Sequence, residues 1–364
     1  MTAPLILGLL HVICKSCCYR NADLKKFLIL CGVVLCCICV ALFWAWRDYE
    51  SYLNSPSEIT KNTVFSLKKG WSFNKLVSEL KVEGLIDKPH YLKIYGRVSK
   101  TSGQIKAGEY LLESGITPLE LMSVLTSGRS INYSFTIVEG STFKQLQASL
   151  SKVDNLVDDL EGLSGDELLK QLEINYEHPE GLFLAETYSY ERNTKTSELL
   201  KRAHKLLEKT LSTEWEGKQK ELPYKNPYES LIMASIVEKE TARADERPII
   251  AGVFNRRLKT GMRLQTDPTV IYGMGDRYKG NIRRSDLRKP TPYNTYVIPA
   301  LPPTPIAMVG REAIRAALNP APGKAIFFVA KGDGSHYFSE TLKEHNRAVQ
   351  QYQINRRKDY RSSP

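Results

Sequence analysis

Two carboxylates two residues apart, Glu238 and Glu240 in the run NPYESLIMASIVEKETA at 226–242, are the side chains best placed to do chemistry. The run predicts a helix over Pro227–Ala242. Asn226 can cap it, Pro227 suits the first helical position, and Glu229 sits where a capping-box carboxylate reaches back to the cap N–H. At ~100° per residue, Ile232, Met233, Ile236 and Val237 form one stripe with Glu240 in its middle. Glu238 falls on the opposite side, near Leu231, Ala234 and Ser235. Helix residues two apart cannot face each other, so the two carboxylates cannot flank one substrate bond and only one can react. An apolar stripe desolvates Glu240, which disfavours its anion and raises its pKa toward the range of a general acid. Glu240 is therefore the candidate catalytic residue. The structural alternative is that Glu240 closes a buried face and pairs with Arg243 or Arg247, since structural ion pairs also perturb pKa values.

The elements that must position this carboxylate lie on either side of it. Lys195–Gly217 predicts a long amphipathic helix packing behind the Glu240 helix, with Leu199, Leu200, Ala203, Leu206, Leu207 and Leu211 on one side. Residues 155–176 read as an acidic, solvated connector with a short helix at Gly165–Leu172. After Glu240, a helix over Glu246–Lys259 ends at Gly261. Gln265, Thr266 and Asp267 then form a turn, with Asp267 capping and Pro268 opening a short helix to Tyr272. The proline-rich loop Pro290–Ile306 carries Tyr293, Asn294, Tyr296 and Leu301. Tyrosines there suit sugar faces and amides suit their hydroxyls; the alternative is a rigid cover over the core.

At 364 residues, 25% of them charged, the chain has room for two or three domains with ordinary cores. Phe27–Trp46 is an unbroken apolar run of the ~20 residues that cross a bilayer, with Phe43, Trp44 and Trp46 at its exit like an interface belt. Lys15, Arg20, Lys25 and Lys26 precede it, and Asp48 and Glu50 follow. That bias predicts a cytoplasmic N-terminus with the rest of the chain on the far side. All seven cysteines lie in the tail or the span, so the exported part relies on its core. Cys14, Cys17 and Cys18 lack the second ligand pair of a zinc knuckle.

The net charge of +11 suits anionic lipid headgroups or an acidic polymer. No basic segment is interleaved with stacking aromatics, so nucleic acid is not an expected partner. Residues 60–131 read as strand, helix, helix, strand, helix. Phe65, Gly70, Phe73, Leu76 and Leu80 recur at the same spacing as Phe135, Gly140, Phe143, Leu146 and Leu150, which implies two strand–turn–helix units. Such units bind polymers or merely set height above a membrane. GxGxxG, Walker, GxSxG and HExxH patterns are absent and the histidines are scattered, so no metal or cofactor is expected.

The motifs IVEKETA, ERPIIAGVF, RLKTGMRLQTDPTVIYGMGDRY, PYNTY, LPPTPI, ALNPA and GDGSHYFSETLKEHN, together with the single span and the module after it, resemble the endolytic murein transglycosylases, the YceG-like (MltG) family. The resemblance runs from Phe27 to Tyr352. It implies an α+β chain: a cytoplasmic tail at 1–26, a transmembrane helix at 27–46, a linker at 47–59 and a LysM-like α/β module at 60–131. A connecting region at 132–176, a mixed α+β catalytic domain at 177–356 and a tail at 357–364 follow.

The implied activity cuts the β-1,4 bond after N-acetylmuramic acid in nascent peptidoglycan strands, leaving 1,6-anhydro ends. The family's catalytic glutamate, the second of EKET, falls on Glu240. The expected substrate-binding set is Gln265, Thr266, Asp267, Tyr272, Tyr293, Asn294 and Tyr296, with no metal. Expected partners are glycan strands, membrane lipid and peptidoglycan synthases, at the inner (cytoplasmic) membrane. The chain departs from the pattern in FNRRL, which places Asn255 and Arg256, in Ala185 and Glu186 of EGLFLAETY, and in Met308, Val309 and Gly310. A true hydrolase needs a second carboxylate, for which Asp267 or Glu186 are the candidates. A non-catalytic, tethered glycan-binding scaffold is the reading from another class.

Overall fold

The computed structural model describes residues 4–355, and their side chains from Lys25 onward. Lys15, Arg20, the Cys14, Cys17, Cys18 group and the tail at 357–364 lie outside those described side chains. The chain divides into two compact units, one ending at Ile131 and one beginning at Asn132.

The first unit opens with helix α1, Pro4–Asn54. Its apolar side chains between Phe27 and Trp46 are exposed, and by length and composition the helix can cross a membrane. The expected linker does not begin at 47, because α1 continues and docks on the module. Asp48 accepts a hydrogen bond from Lys88 Nζ at 2.9 Å, the Tyr49 ring meets Tyr91 edge-on, and Leu53 is buried. Then follow β1 (Thr63–Leu67), α2 (Phe73–Val82), α3 (Pro89–Val98), β2 (Gly108–Leu112) and α4 (Pro118–Ser127), in the expected order. β1 and β2 pair antiparallel with Phe65 opposite Tyr110. Both rings are buried with Leu76, Leu80, Leu92 and Leu125 in one core.

The second unit runs β3 (Tyr133–Thr136), α5 (Phe143–Leu150), β4 (Leu156–Val157), α6 (Gly165–Leu172), β5 (Thr187–Tyr190), β6 (Thr194–Lys195), α7 (Thr196–Glu216), α8 (Pro227–Glu240), α9 (Arg247–Lys259) and α10 (Asp267–Met274). It ends with α11 (Arg284–Arg288), α12 (Arg311–Leu318), β7 (Phe327–Ala330), β8 (His336–Ser339) and α13 (Leu342–Val349). Three two-stranded ladders, β3–β5, β4–β6 and β7–β8, edge a helical core.

One expectation changes here. The segment 155–176, read as a solvated connector, is built into the core together with the strand before it. β3 pairs with β5, and Leu160, Leu168, Leu169 and Leu172 are buried in the same core as α8. The acidic residues around them mask an amphipathic α6 whose leucines share one face. Helix α8 is covered on every side, each residue from Ser230 to Glu238 being buried. Its serines are tolerated because they are satisfied. Ser235 Oγ donates to the Ile232 carbonyl and accepts from Ile306 N–H.

Candidate active site

Helix α8 ends on Glu240, two residues short of the expected stop, with Thr241 turned into extended backbone. Glu240 is half-buried, and its Oε2 accepts a 2.6 Å hydrogen bond from Thr266 Oγ. Burial pushes its pKa up, while the Thr266 hydroxyl and the charges of His336 and Arg257 pull it down. Neither arginine of the structural alternative pairs with it. Arg243 bonds Asp245 at 2.6 Å, and Arg247 bonds Glu238 at 2.7 Å and Glu139 at 2.9 Å. Glu238 also accepts from Gly310 N–H at 3.0 Å. The buried ion pair that sequence allowed for Glu240 belongs to Glu238.

The turn facing Glu240 is held from beneath. Arg257, on α9, donates Nη1–H to the Leu264 carbonyl at 2.7 Å. The next residue, Gln265, takes φ +52, a left-handed conformation that costs about 1–3 kcal/mol in a residue with a side chain and persists only where surroundings impose it. They do so here. Gln265 N–H donates to the Thr295 carbonyl and Thr266 N–H to Thr295 Oγ, both at 3.1 Å. The twist leaves Gln265 exposed and Thr266 turned inward. Asp267 opens α10 and accepts from Tyr296 OH at 2.7 Å. Glu240, Gln265, Thr266, Asp267 and Tyr296 thus come together.

Tyr272 and Tyr293 form a neighbouring pair, their ring centres 4.8 Å apart. Tyr272 OH donates to Glu180 Oε2 at 3.0 Å, and Phe143 N–H to Glu180 Oε1 at 2.9 Å. Burial drives the Glu180 carboxyl up to about 7. Asn294 leaves the expected substrate-facing set. It is buried, its Nδ2 faces the carbonyls of Asp286, Leu287 and Lys289 at 3.1, 3.1 and 2.8 Å, and its Oδ1 accepts from Tyr296 N–H. Its amide protons are spent on the loop, and at 1% exposure the side chain is out of reach of a sugar hydroxyl.

Sequence reading missed Arg257, Thr295 and Glu180. Arg257 was hidden by its neighbours: Asn255 accepts from Tyr224 OH, Arg256 holds the Ala321 and Ala325 carbonyls, and only Arg257 reaches the turn. The other departures are main-chain matters, with Met308 N–H donating to Ser141 O and Ala185 N–H to Val309 O. Glu186 is exposed and bonds its neighbour's N–H at Thr187. His336 Nδ1 faces Glu246 at 2.7 Å, whereas His345 stacks on Phe327, so the two share no site.

A membrane-length helix thus precedes, along the chain, a helical unit in which half-buried Glu240 meets the strained turn at Gln265. The YceG-like family model matches residues 65–351, and the chain belongs to that family. It is 31% identical over 323 residues to an endolytic murein transglycosylase of Bacillus subtilis, covering 83% of this chain and 88% of that protein. A namesake from Streptococcus pneumoniae is 24% identical over 339 residues, where the match spans 83% of this chain but 60% of the relative's length. Among solved structures, a yceG-like protein from Listeria monocytogenes is 27% identical, with a TM-score of 0.49 over 79% of this chain and 99% of that one.

Proposed function

We propose that the chain is a membrane-anchored endolytic lytic transglycosylase of peptidoglycan, with Glu240 as its only essential carboxylate. The observation that carries this reading is that Glu240 is a half-buried carboxyl, raised by burial and held by a single hydroxyl donor. It enters the reaction protonated. Its proton passes to the glycosidic oxygen as the bond from C1 of N-acetylmuramic acid to that oxygen breaks. The resulting carboxylate then takes the proton of the sugar's own C6 hydroxyl as that oxygen bonds to C1, closing a 1,6-anhydro ring. Protons balance, no water is consumed, and neither a second carboxylate nor a metal or cofactor enters. Gln265, Asp267, Tyr272, Tyr293 and Tyr296 supply the polar and stacking contacts to the strand, and Thr266 holds the acid.

Residues 60–131 serve as a LysM-like module that keeps the strand near this site. Helix α1 anchors the protein in the inner membrane with its N-terminus in the cytoplasm, which places the site beside peptidoglycan synthases. A reporter fused after Pro364 should work only outside the cytoplasm; activity inside would sink that orientation. The reaction is tested by incubating purified protein with peptidoglycan and weighing the new ends by mass spectrometry. Anhydro ends are expected. Reducing ends would give the site to a hydrolase with Asp267 or Glu186 as partner, and no ends to a scaffold.

A further inference from the structure

Between α10 and the tyrosine loop the chain makes an excursion over 275–289. It carries six exposed cations, Arg277, Lys279, Arg283, Arg284, Arg288 and Lys289. Its two acids are engaged: Asp276 with Lys144 at 2.8 Å, and Asp286 with Arg283 N–H at 2.9 Å. None of the six cations has an acidic partner within salt-bridge reach among the described residues.

The excursion is fastened to the site rather than hung from it. Asn294 grips its carbonyls at Asp286, Leu287 and Lys289, and the next residue, Thr295, holds Thr266, which holds Glu240. Arg277 and Lys289 line one shallow depression with Gly273, Thr291 and Asp286, whose carboxylate is held by the Arg283 N–H. Gly273 forms its wall against the tyrosine pair, since a Cβ there would stand 3.1 Å from Tyr293 Cβ. The depression that Arg277 and Lys289 line therefore adjoins the tyrosine pair of the proposed site through Gly273. Tyrosine rings cannot tell a bare glycan from one bearing charge; cations on the adjoining excursion can.

We infer that this basic excursion is a subsite for the carboxylates of the peptides that hang from the glycan strand. The inference rests on the transglycosylase reading and adds what the site requires of its substrate: a strand with peptides still attached. Exposed charges of this kind act through long-range attraction and individually weak pairs, so their effect should fall on KM and fade as salt screens them.

The test compares the full-length protein with an Arg277→Gln/Arg284→Gln/Arg288→Gln/Lys289→Gln variant of unchanged thermal midpoint, on peptide-bearing strands and on strands stripped of peptides. At low salt the variant should lose about tenfold in kcat/KM on peptide-bearing strands, mostly in KM. It should lose nothing on stripped strands, and it should converge with the parent at high salt. An equal loss on both strands, or none on either, overturns the subsite while leaving the transglycosylase reading intact. Unchanged cleavage with weakened binding to phosphatidylglycerol vesicles assigns the surface to lipid and likewise overturns it. A parent that cuts neither strand defeats the transglycosylase reading, and the subsite with it.

Discussion

Glu238 and Glu240 leave the same helix two residues apart, and burial raises the pKa of both, yet their surroundings differ in kind. Glu238 is boxed in by Arg247 and the Gly310 N–H, both of its oxygens engaged in a dry interior. Glu240 meets one hydroxyl and stays partly open. If Glu240 is the acid, as proposed, desolvation alone does not select it. What separates the two is how many fixed donors hold the anion, because each one stabilises the form that cannot give up a proton.

The sharpest way to break this comparison is to remove each carboxylate in turn. Glu240→Gln keeps the shape but ends the proton cycle, so cleavage should fall by ~10²–10⁴. Its thermal midpoint should hold or rise, since the amide stays neutral at every pH and never places a charge in the half-buried site. Glu238→Ala should do the reverse. Arg247 would be left buried with only the half-exposed Glu139, and removing one partner of a buried pair costs about 3–5 kcal/mol. The midpoint should drop, while the rate of the molecules that remain folded stays within a few-fold of the parent. A stable, inactive Glu238 variant beside an active Glu240 variant would invert the assignment.

Sequence could single out Glu240 because its signals are local: a cap, a proline, a stripe and a motif all within 17 residues of chain. The Gln265–Asp267 turn was legible for the same reason, with Pro268 marking the start of α10. The stripe argument itself succeeded only in part. It placed Glu238 on the opposite side without saying what covers that side; α12 and the chain around Gly310 do, and no periodicity within α8 reveals that. Asn294 illustrates the opposite error. An asparagine among tyrosines looks like a sugar ligand until its amide is seen fastening a loop. Glu180 and Tyr272, 92 positions apart, meet only through the tertiary fold, as do the strands that draw 132–176 into the core.

Glu180 extends the comparison to a third carboxyl, buried like Glu238 but with no arginine. Tyr272 OH, the N–H groups of Phe143 and Gly181, and the more distant Lys239 charge face it, and burial outweighs them, raising it from 4.5 to about 7. The folded state therefore binds this proton more tightly than the unfolded chain. The group's contribution to stability is fully present below pH 4.5 and is lost as pH rises through about 7. The displacement corresponds to at most about 3–4 kcal/mol. Glu180→Gln should flatten the decline of the thermal midpoint between pH 5 and pH 8; a decline as steep as in the parent would show that Glu180 is not its source.

The smallest expected effect probes the single donor that distinguishes Glu240. Thr266→Val keeps the volume and removes the hydroxyl that donates to Oε2. One hydrogen bond to a charged group is worth about 1.5–3 kcal/mol when buried, and less at this half-open site, so the loss in kcat should be several-fold rather than complete. The more telling readout is the pH profile. The Thr266 hydroxyl favours the anion and pulls the Glu240 pKa down against burial, so without it that pKa rises further. The first step needs the protonated acid, and kcat/KM falls as pH climbs past its pKa. The alkaline limb should therefore move to higher pH in Thr266→Val and return to its original place in Thr266→Ser. A limb that stays put in the valine variant while the rate drops would mean that Thr266 only packs the turn, and that burial and the charges of His336, Asp267 and Arg257 set the pKa of Glu240 without it.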